Sequence, residues 1–188
     1  EVDMRPFSFE SPKTLSEALE IIGNSNGDSK LLAGGSDLID QLRNGRKHAS
    51  VVIDIKNIPE MKRLEYVEGE GLHVGAGVSC TDTANYEPTA KYFPSVRESC
   101  LLIGSTQIQN RASMAGNVCN AAPSGDTIPS LITYDTRALI AGSKGTREVN
   151  LTDFLLGPGK TTLETDELMV ELIIPTPAVN SDGHYLRF

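Results

Sequence analysis

The sequence predicts an α+β protein with two lobes. Between residues 14 and 55, a helical pattern, a short apolar strand, a glycine turn, a second helical pattern and another strand follow one another. This succession is typical of a βαβ unit with parallel strands. From residue 58 onward, strands outnumber helices, which favours a larger lobe with a mixed or antiparallel sheet. Because a turn at residues 57–60 separates the two patterns, we expect lobes over residues 1–57 and 58–178.

The first lobe contains clear local signals. A short edge strand is expected at residues 7–9, and Thr14 with Glu17 forms a capping box that starts a helix. Gly23 is placed to end this helix. We predict strands over residues 30–33 and 51–55, with a helix over residues 38–43 between them. The glycine turn therefore lies at the carboxyl end of the first of these parallel strands.

The second lobe shows weaker periodicity. Pro175 stops its last strand, and a long loop is predicted at residues 103–124, where neither the helical nor the strand period is present. Short turns or loops are expected at residues 151–154 and 157–162. The predicted regular elements are hairpins over residues 63–75 and 137–150, helices over residues 81–87, 94–102 and 126–133, and a strand over residues 167–174.

Residues 103–131 indicate a functional site. They are rich in Gly, Ser, Asn and Ala, and Asp126 is their only carboxylate. Long loops without periodicity are usually functional or disordered, and the apolar residues here argue against disorder. Small residues let the backbone approach a ligand and leave N–H groups free to bind it. We interpret this stretch as one wall of a site.

A second stretch is a candidate for the opposite wall. It contains Leu31, Leu32, Ala33, Gly34, Gly35, Ser36, Asp37 and Leu38. Paired glycines most often mark only a tight turn, but here they precede a helix start, where backbone N–H groups bind phosphate. Two amide-rich walls on different lobes favour a diphosphate bound between them.

Composition excludes several function classes. Seventeen Lys and Arg against twenty-five Asp and Glu give a net charge of -8, which argues against nucleic acid or anionic lipid as the main partner. No apolar run approaches the length of a membrane span, and residues 1–10 lack the pattern of a secretory signal. Three cysteines without a C-x-x-C pair indicate neither a disulfide framework nor a metal or iron–sulfur site. We therefore expect a cytoplasmic protein.

Two nucleotide-binding motifs are incomplete. Gly75 and Gly77 begin a dinucleotide fingerprint, but Cys80 occupies the position that requires Gly or Ala. Residues 157–161, GPGKT, resemble the end of a P-loop, but Phe154 replaces the first glycine. Lys160 is either a positive charge for a ligand or a solvated loop lysine.

The two walls together resemble the FAD-binding subunits of molybdenum hydroxylases. Residues 33–38, AGGSDL, resemble A-G-G-T-D-L, and residues 104–117 resemble G-x-x-Q-I-R-N-x-A-T-x-G-G-N, with Ala115 in place of a glycine. Residues 124–129 resemble S-x-D-x-x-P, and residues 157–175 resemble a G-x-G-K, E-L and I-P run. The resemblance covers nearly the whole chain and leans toward the bacterial xanthine dehydrogenase type. The carbon monoxide, nicotinate and hydroxybenzoyl-CoA enzymes are close alternatives.

This resemblance implies a fold of the vanillyl-alcohol oxidase and p-cresol methylhydroxylase (PCMH) type, with FAD between the lobes. Both glycine-bearing turns would bind the pyrophosphate through backbone amides, and Asp126 would accept a hydrogen bond from a ribose or ribityl hydroxyl. Leu168 and Ile174 would flank the flavin or the adenine, and Lys160 would lie near the cofactor. The remaining implied binding residues are Leu31–Leu38, Gly104, Ser113, Met114, Ala115, Gly116 and Asn117.

The resemblance also implies an activity. Such a flavoprotein is an oxidoreductase component that takes electrons from a 2Fe-2S centre on a partner subunit and passes them through FAD to NAD. Substrate hydroxylation would take place at a molybdenum cofactor on another partner, so no residue here is assigned as acid, base or nucleophile. Residues 179–188 resemble the opening strand of a further C-terminal domain. We also expect Gly35→Val to abolish FAD retention without unfolding the protein.

Two alternatives remain open at this point. The first is a flavin-dependent oxidase of the related fold, which often attaches its flavin through a histidine in the first glycine loop. Ser36 and Asp37 occupy that position here. The second is an assembly module that keeps the fold without FAD.

Overall fold

A computed structural model describes residues 4–187. Within that range the chain forms a three-stranded sheet, a five-stranded sheet and a two-stranded hairpin. None of the helices in the described residues is long and apolar enough to cross a membrane.

The first lobe is the expected βαβ arrangement. Strand β3 lies between β1 and β2 and runs parallel to both, so the carboxyl ends of β2 and β3 lie at one edge. The elements are β1 (Ser8–Glu10), α1 (Leu15–Asn24), β2 (Ser29–Leu32), α2 (Leu38–Arg43) and β3 (Val51–Asp54).

The prediction that Gly23 ends helix α1 is wrong. The helix continues to Asn24, because the left-handed residues that turn the chain are Asn26 (φ 50°) and Gly27 (φ 82°). Thr14 caps the start of the helix as expected, accepting a hydrogen bond from the Glu17 N–H at 3.2 Å.

The second lobe is built on an antiparallel sheet in the order β4-β5-β10-β6-β7. Two 3₁₀ turns, Ile55–Asn57 and Pro59–Lys62, lead into it. Its strands are β4 (Leu64–Val67), β5 (Gly71–Gly75), β6 (Arg137–Gly142), β7 (Gly145–Asn150), the hairpin pair β8 (Leu155–Gly157) and β9 (Lys160–Thr161), and β10 (Leu168–Pro175). Its helices are α3 (Cys80–Asn85), α4 (Glu87–Tyr92), α5 (Pro94–Leu102), α6 (Thr106–Gln109), α7 (Met114–Asn120), α8 (Thr127–Thr133) and α9 (Leu151–Phe154).

The long loop predicted at residues 103–124 is also wrong in part, since α6 and α7 lie within it. Both helices are short, and α7 is rich in Ala, Gly and Asn, so it shows no apolar stripe. It is fixed instead by the Ser113 cap and by burial of Met114 and Val118, four residues apart. Helix α4 was missed because Pro88 resembles a turn signal, whereas it occupies the first turn of the helix.

One apolar core joins the two lobes. It extends from Ala18 and Ile53 in the first lobe to Leu72, Leu172 and Ile174 on central strands of the five-stranded sheet. All of these side chains are fully buried. The shared core holds the facing edges of the two lobes in a fixed relation. The division at residues 57 and 58 stays a prediction.

The last described residues run along helix α5. The Tyr185 N–H donates to a Glu98 carboxylate oxygen at 2.7 Å, and the Arg187 guanidinium lies 3.6 Å from Asp126. Whether this segment opens a further domain stays a prediction, and Phe188 lies outside the described residues.

Candidate functional site

A cleft of about 530 Å³ lies between the lobes. It is lined by residues from β2, α2, α7 and the loops beside them. Both stretches that the sequence singled out face it. The predicted site residues that line the cleft are Leu31, Ala33, Gly34, Gly35, Ser36, Asp37, Leu38, Gly104, Ser113, Ala115, Gly116, Asn117 and Asp126.

The first wall of the cleft consists of residues 34–38, which follow β2 and include the first residue of α2. Gly34 lies so close to the other lobe that a Cβ on it would be 2.0 Å from the Arg111 carbonyl oxygen. Gly35 has φ +78°, a conformation that side chains rarely adopt. Among the described residues, none of the five backbone N–H groups from 34 to 38 donates a hydrogen bond. Because these five residues line the cleft, their N–H groups form a run of donors available to a ligand there.

The second wall consists of residues 113–117, at the start of α7. The Ser113 Oγ accepts a hydrogen bond from the Gly116 N–H at 3.0 Å, which fixes the first turn. The N–H groups of residues 113–115 have no acceptor in the described part of the chain, as expected where a helix begins. The second wall thus presents another set of donors, opposite the first.

The two walls together suit an anion. Successive backbone N–H groups in a turn or at a helix start bind phosphate. The Arg111 carbonyl that Gly34 approaches lies two residues before the second wall, so the two walls lie close enough for one diphosphate to reach donors on both. Asp126 also lines the cleft; its side chain is largely buried and ion-paired with Arg187.

The two ends of the cleft differ in polarity. We call Lys30, Asp37, Gln41, Lys47 and Asn120 the polar end. The Lys47 N–H donates to the Gln41 carbonyl oxygen at 3.0 Å, and the Gln41 amide donates to Asn120 Oδ1 at 3.1 Å. Burial lowers the pKa of Lys47, and the nearby Lys30 lowers it further, while Asp37 raises it.

We call the other end the apolar end. It is lined by Ala33, Ile55, Ala76, Ile103 and Ile108. The Lys56 ammonium donates to the Ala33 carbonyl oxygen at 3.1 Å and to Asp54 at 2.6 Å, which ties the end of β2 to β3. This end offers a ligand mainly aliphatic surface.

Other predicted site residues do not line the cleft. Leu31 faces the cleft, so its neighbour Leu32 points to the opposite side of the strand, where it packs against Leu42, Ala49 and Val52. The side chain of Met114 is fully buried in the core. For these two residues, a direct side-chain contact with a ligand in the cleft has no support from the geometry.

The predicted residues near the C-terminus are also displaced from the cleft. Leu168 and Ile174 are fully buried, and Met169 lines the cleft in place of Leu168. Lys160 is exposed on the β8–β9 hairpin, whose Gly159 N–H donates to the Ala121 carbonyl oxygen at 2.8 Å. Their assignment to a cofactor stays a prediction without support from their positions.

Sequence reasoning missed several lining residues. Lys30, Gln41, Lys47 and Asn120 meet only in the folded chain, and no local motif identified them. Leu163 also lines the cleft. It lies in a loop anchored by the Arg147–Glu167 ion pair, whose nitrogen and oxygen atoms are 2.7 Å apart. Cys119 also lines the cleft, and burial raises the pKa of its thiol to about 12, so it stays protonated at neutral pH.

Comparison with known families decides the identity of the fold. The family described as the FAD binding domain in molybdopterin dehydrogenase matches residues 5–177. The chain belongs to this family.

Several curated relatives support this assignment. The nicotinate dehydrogenase FAD-subunit of Eubacterium barkeri is 32% identical over 188 residues, covering 98% of this chain and 63% of the relative. The xanthine dehydrogenase FAD-binding subunit of Escherichia coli O157:H7 is 32% identical over 168 residues, covering 89% and 57%. The carbon monoxide dehydrogenase medium chain of Hydrogenophaga pseudoflava is 30% identical over 179 residues, covering 95% and 62%. The chain thus spans about three fifths of the length of these relatives.

Solved structures of similar proteins support the same assignment. Carbon monoxide dehydrogenase from Hydrogenophaga pseudoflava superposes with a TM-score of 0.89 at 28% identity, covering 93% of this chain and 61% of that chain. Quinoline 2-oxidoreductase from Pseudomonas putida 86 gives 0.89 at 26% identity, covering 97% and 66%. The predicted combination of a small parallel sheet and a larger antiparallel sheet is therefore confirmed.

Proposed function

We propose that the chain binds FAD in this cleft and is the flavin-binding part of a molybdenum hydroxylase of the xanthine dehydrogenase type. The observation that carries the proposal is the pair of opposed walls, whose N–H groups at residues 34–38 and 113–115 have no acceptor within the described residues. FAD carries a diphosphate between two ring systems, which matches donors midway along a cleft with different ends.

The walls would bind the diphosphate through local geometry. The whole chain has a net charge of -8, so its overall field repels anions. The charged groups lining the cleft, by contrast, are two lysines and two aspartates, Lys30, Lys47, Asp37 and Asp126. Backbone donors in fixed positions then supply the attraction that the overall charge does not, and they need no reorganisation when the ligand arrives.

The Asp126 carboxylate would bind a different part of the cofactor from the two walls. Asp126 lies on the second lobe beside the second wall, with an ion pair to Arg187 holding its side chain. An ionised carboxylate is an acceptor only, so it suits the hydroxyl groups of a ribose or ribityl chain. The apolar end would exclude water from the ring system placed there.

The protein's contribution would be positioning and electrostatics. Bound FAD would supply the redox chemistry, exchanging electrons with a partner's iron–sulfur centre and a hydride with NAD. We propose partner subunits that carry the 2Fe-2S centres and the molybdenum cofactor, by analogy with the multi-subunit relatives. Within this chain, residues hold and orient the cofactor, and none is assigned to proton transfer.

The proposal is tested by reconstitution. FAD is added to the purified chain, the excess is removed by desalting, and the visible spectrum is recorded. We expect a flavin spectrum with about one FAD per chain. A colourless sample would contradict FAD binding and would favour the scaffold alternative.

Anaerobic addition of NADH to the yellow sample then tests whether NAD is the electron acceptor of the flavin. Bleaching of the flavin band supports NAD as the partner oxidant. A flavin that stays oxidised with NADH but is bleached by dithionite would contradict the NAD assignment while leaving FAD binding intact.

A further inference from the structure

The polar end of the cleft contains an unusual pair of amide side chains. Gln41 on α2 and Asn120 at the end of α7 come from different lobes, and the Gln41 Nε2 donates to the Asn120 Oδ1 at 3.1 Å. The Gln41 Oε1 is buried and accepts no hydrogen bond in the described part of the chain. A buried acceptor without a donor costs free energy that a ligand donor would recover.

The backbone of Gln41 is fixed within the fold, and its side chain is oriented by one hydrogen bond. The residue lies in helix α2, its carbonyl oxygen accepts the Lys47 N–H, and its amide nitrogen is tied to Asn120. The hydrogen bond from Nε2 to Asn120 sets the direction of the Gln41 amide and leaves its Oε1 without a donor in the described part of the chain. A buried acceptor without a partner indicates a ligand group that donates a hydrogen bond.

The two halves of FAD differ in the same way as the two ends of the cleft. Adenine presents an amino donor at N6 beside an acceptor at N7, and the side-chain amide of Gln or Asn matches this edge. The isoalloxazine ring is larger and has an apolar benzenoid edge, which suits aliphatic surface such as that of Ile55, Ile103 and Ile108. The polarity of the cleft thus distinguishes the two halves.

We infer that Gln41 is a specificity-determining residue that binds the adenine half of FAD at the polar end, with its Oε1 accepting the N6 amino group. Asn120 is a positioning residue that orients the Gln41 amide. This inference rests on the proposed function, because it assumes that FAD occupies the cleft.

The first test uses the wild-type chain and an altered ligand. In flavin hypoxanthine dinucleotide a carbonyl oxygen replaces the N6 amino group, so two acceptors would face each other at Gln41. We expect its dissociation constant, measured by flavin fluorescence, to exceed that of FAD by about tenfold, the effect of one lost hydrogen bond. Equal affinity for the two dinucleotides would overturn the inference.

The second test uses Gln41→Leu, which keeps the volume and removes both polar atoms. The variant should bind FAD about tenfold more weakly, lose the preference for FAD over the hypoxanthine analogue, and bind FMN as the wild type does. FMN lacks the adenosine half and therefore reports on the other end of the cleft. The matched control is Gln107→Leu, at an exposed position of helix α6, for which we expect no change.

The remaining outcomes separate this inference from the proposed function. Equal weakening of FAD and FMN by Gln41→Leu would mean that Gln41 only supports the cleft wall, and would overturn the inference. Unchanged FAD affinity would overturn it as well. A wild-type chain that retains neither FAD nor FMN would overturn the proposed function, and this inference with it.

Discussion

The first wall is built on glycines, whereas the second wall is the start of a helix. At the first wall the protein's own backbone leaves no room, since a Cβ on Gly34 would lie 2.0 Å from the Arg111 carbonyl oxygen. At the second wall Ala115 already carries a methyl group, and a Cβ on Gly116 would meet only the Ser113 Oγ, at 3.0 Å. The first wall therefore needs glycine for folding, and the second needs only a well-capped helix.

This difference corrects the expectation for Gly35→Val. Gly35 has φ +78°, and a Cβ there would lie 2.8 Å from Leu32 Cδ1. A β-branched residue is strained at positive φ, so the substitution would destabilise the fold as well as the cofactor site. Loss of FAD by this variant would not by itself locate the phosphates.

The largest expected effect comes from Gly34→Ala. Because the new methyl group would collide with backbone rather than with a flexible side chain, we expect a loss of about 3 kcal/mol or more in the free energy of unfolding. Urea unfolding followed by circular dichroism measures it. The matched control, Gly23→Ala, places its methyl group in open space on helix α1 and should stabilise by about 0.5 kcal/mol. Similar curves for both variants would show that Gly34 does not lie against the Arg111 backbone.

Ala115→Pro tests the second wall without disturbing the first. Proline removes one free N–H from the first turn of α7, a place where helices tolerate it. We expect FAD to bind about tenfold more weakly, because one donor to the diphosphate is lost. Ser16→Pro makes the same change in the first turn of α1, away from the cleft, and should leave FAD affinity unaltered. Equal effects from the two variants would count against a donor role for α7.

Lys47→Met compares the contribution of a side-chain charge to FAD affinity with that of a backbone donor. We expect FAD binding to weaken by a few-fold, about the effect of one partly exposed charge, while exposed Lys13→Met changes nothing. Burial lowers the pKa of Lys47 from its ordinary value of 10.5, so the unfolded chain binds more protons than the folded one. The contribution of Lys47 to stability without FAD should therefore rise with pH between its lowered pKa and about 10.5, so that the wild type gains stability relative to the variant over this range. A larger loss of affinity than for Ala115→Pro would contradict the view that backbone donors contribute more to FAD binding than this charge does.

The smallest effect concerns Cys119. Since burial raises the pKa of its thiol to about 12, it is not a nucleophile at neutral pH, and FAD should be bound without a covalent link. Acid precipitation should release all flavin into the supernatant, from the wild type and from Cys119→Ala alike. Flavin that stays with the precipitated wild type would favour the covalent oxidase alternative.

The sequence predicted those features whose signals are local. Gly34 and Gly35 follow an apolar strand directly, and Thr14 with Glu17 caps a helix, so the elements of the first lobe were placed within one or two residues. The wall at residues 113–117 was recognised, but not its helical form, because α7 depends on a cap and on two buried side chains.

The rest of the site depends on tertiary geometry. Gln41 and Asn120 are 79 residues apart and meet only because the two lobes share a core. The sequence analysis assigned Leu168 to the site, but Met169 lines the cleft instead. Which of two adjacent strand residues faces the cleft depends on strand register, and β10 carries a bulge between Met169 and Glu171. Such choices between adjacent residues cannot be read from a buried, continuously apolar strand.

The central claim is that one diphosphate is bound by backbone amides of both walls. Its most direct test is a titration of the 20.2 kDa chain with FAD, followed by amide nuclear magnetic resonance. We predict that the N–H signals of residues 34–38 and 113–115 shift together and saturate at one equivalent. Saturable FAD binding that leaves the signals of either wall unmoved would contradict the account.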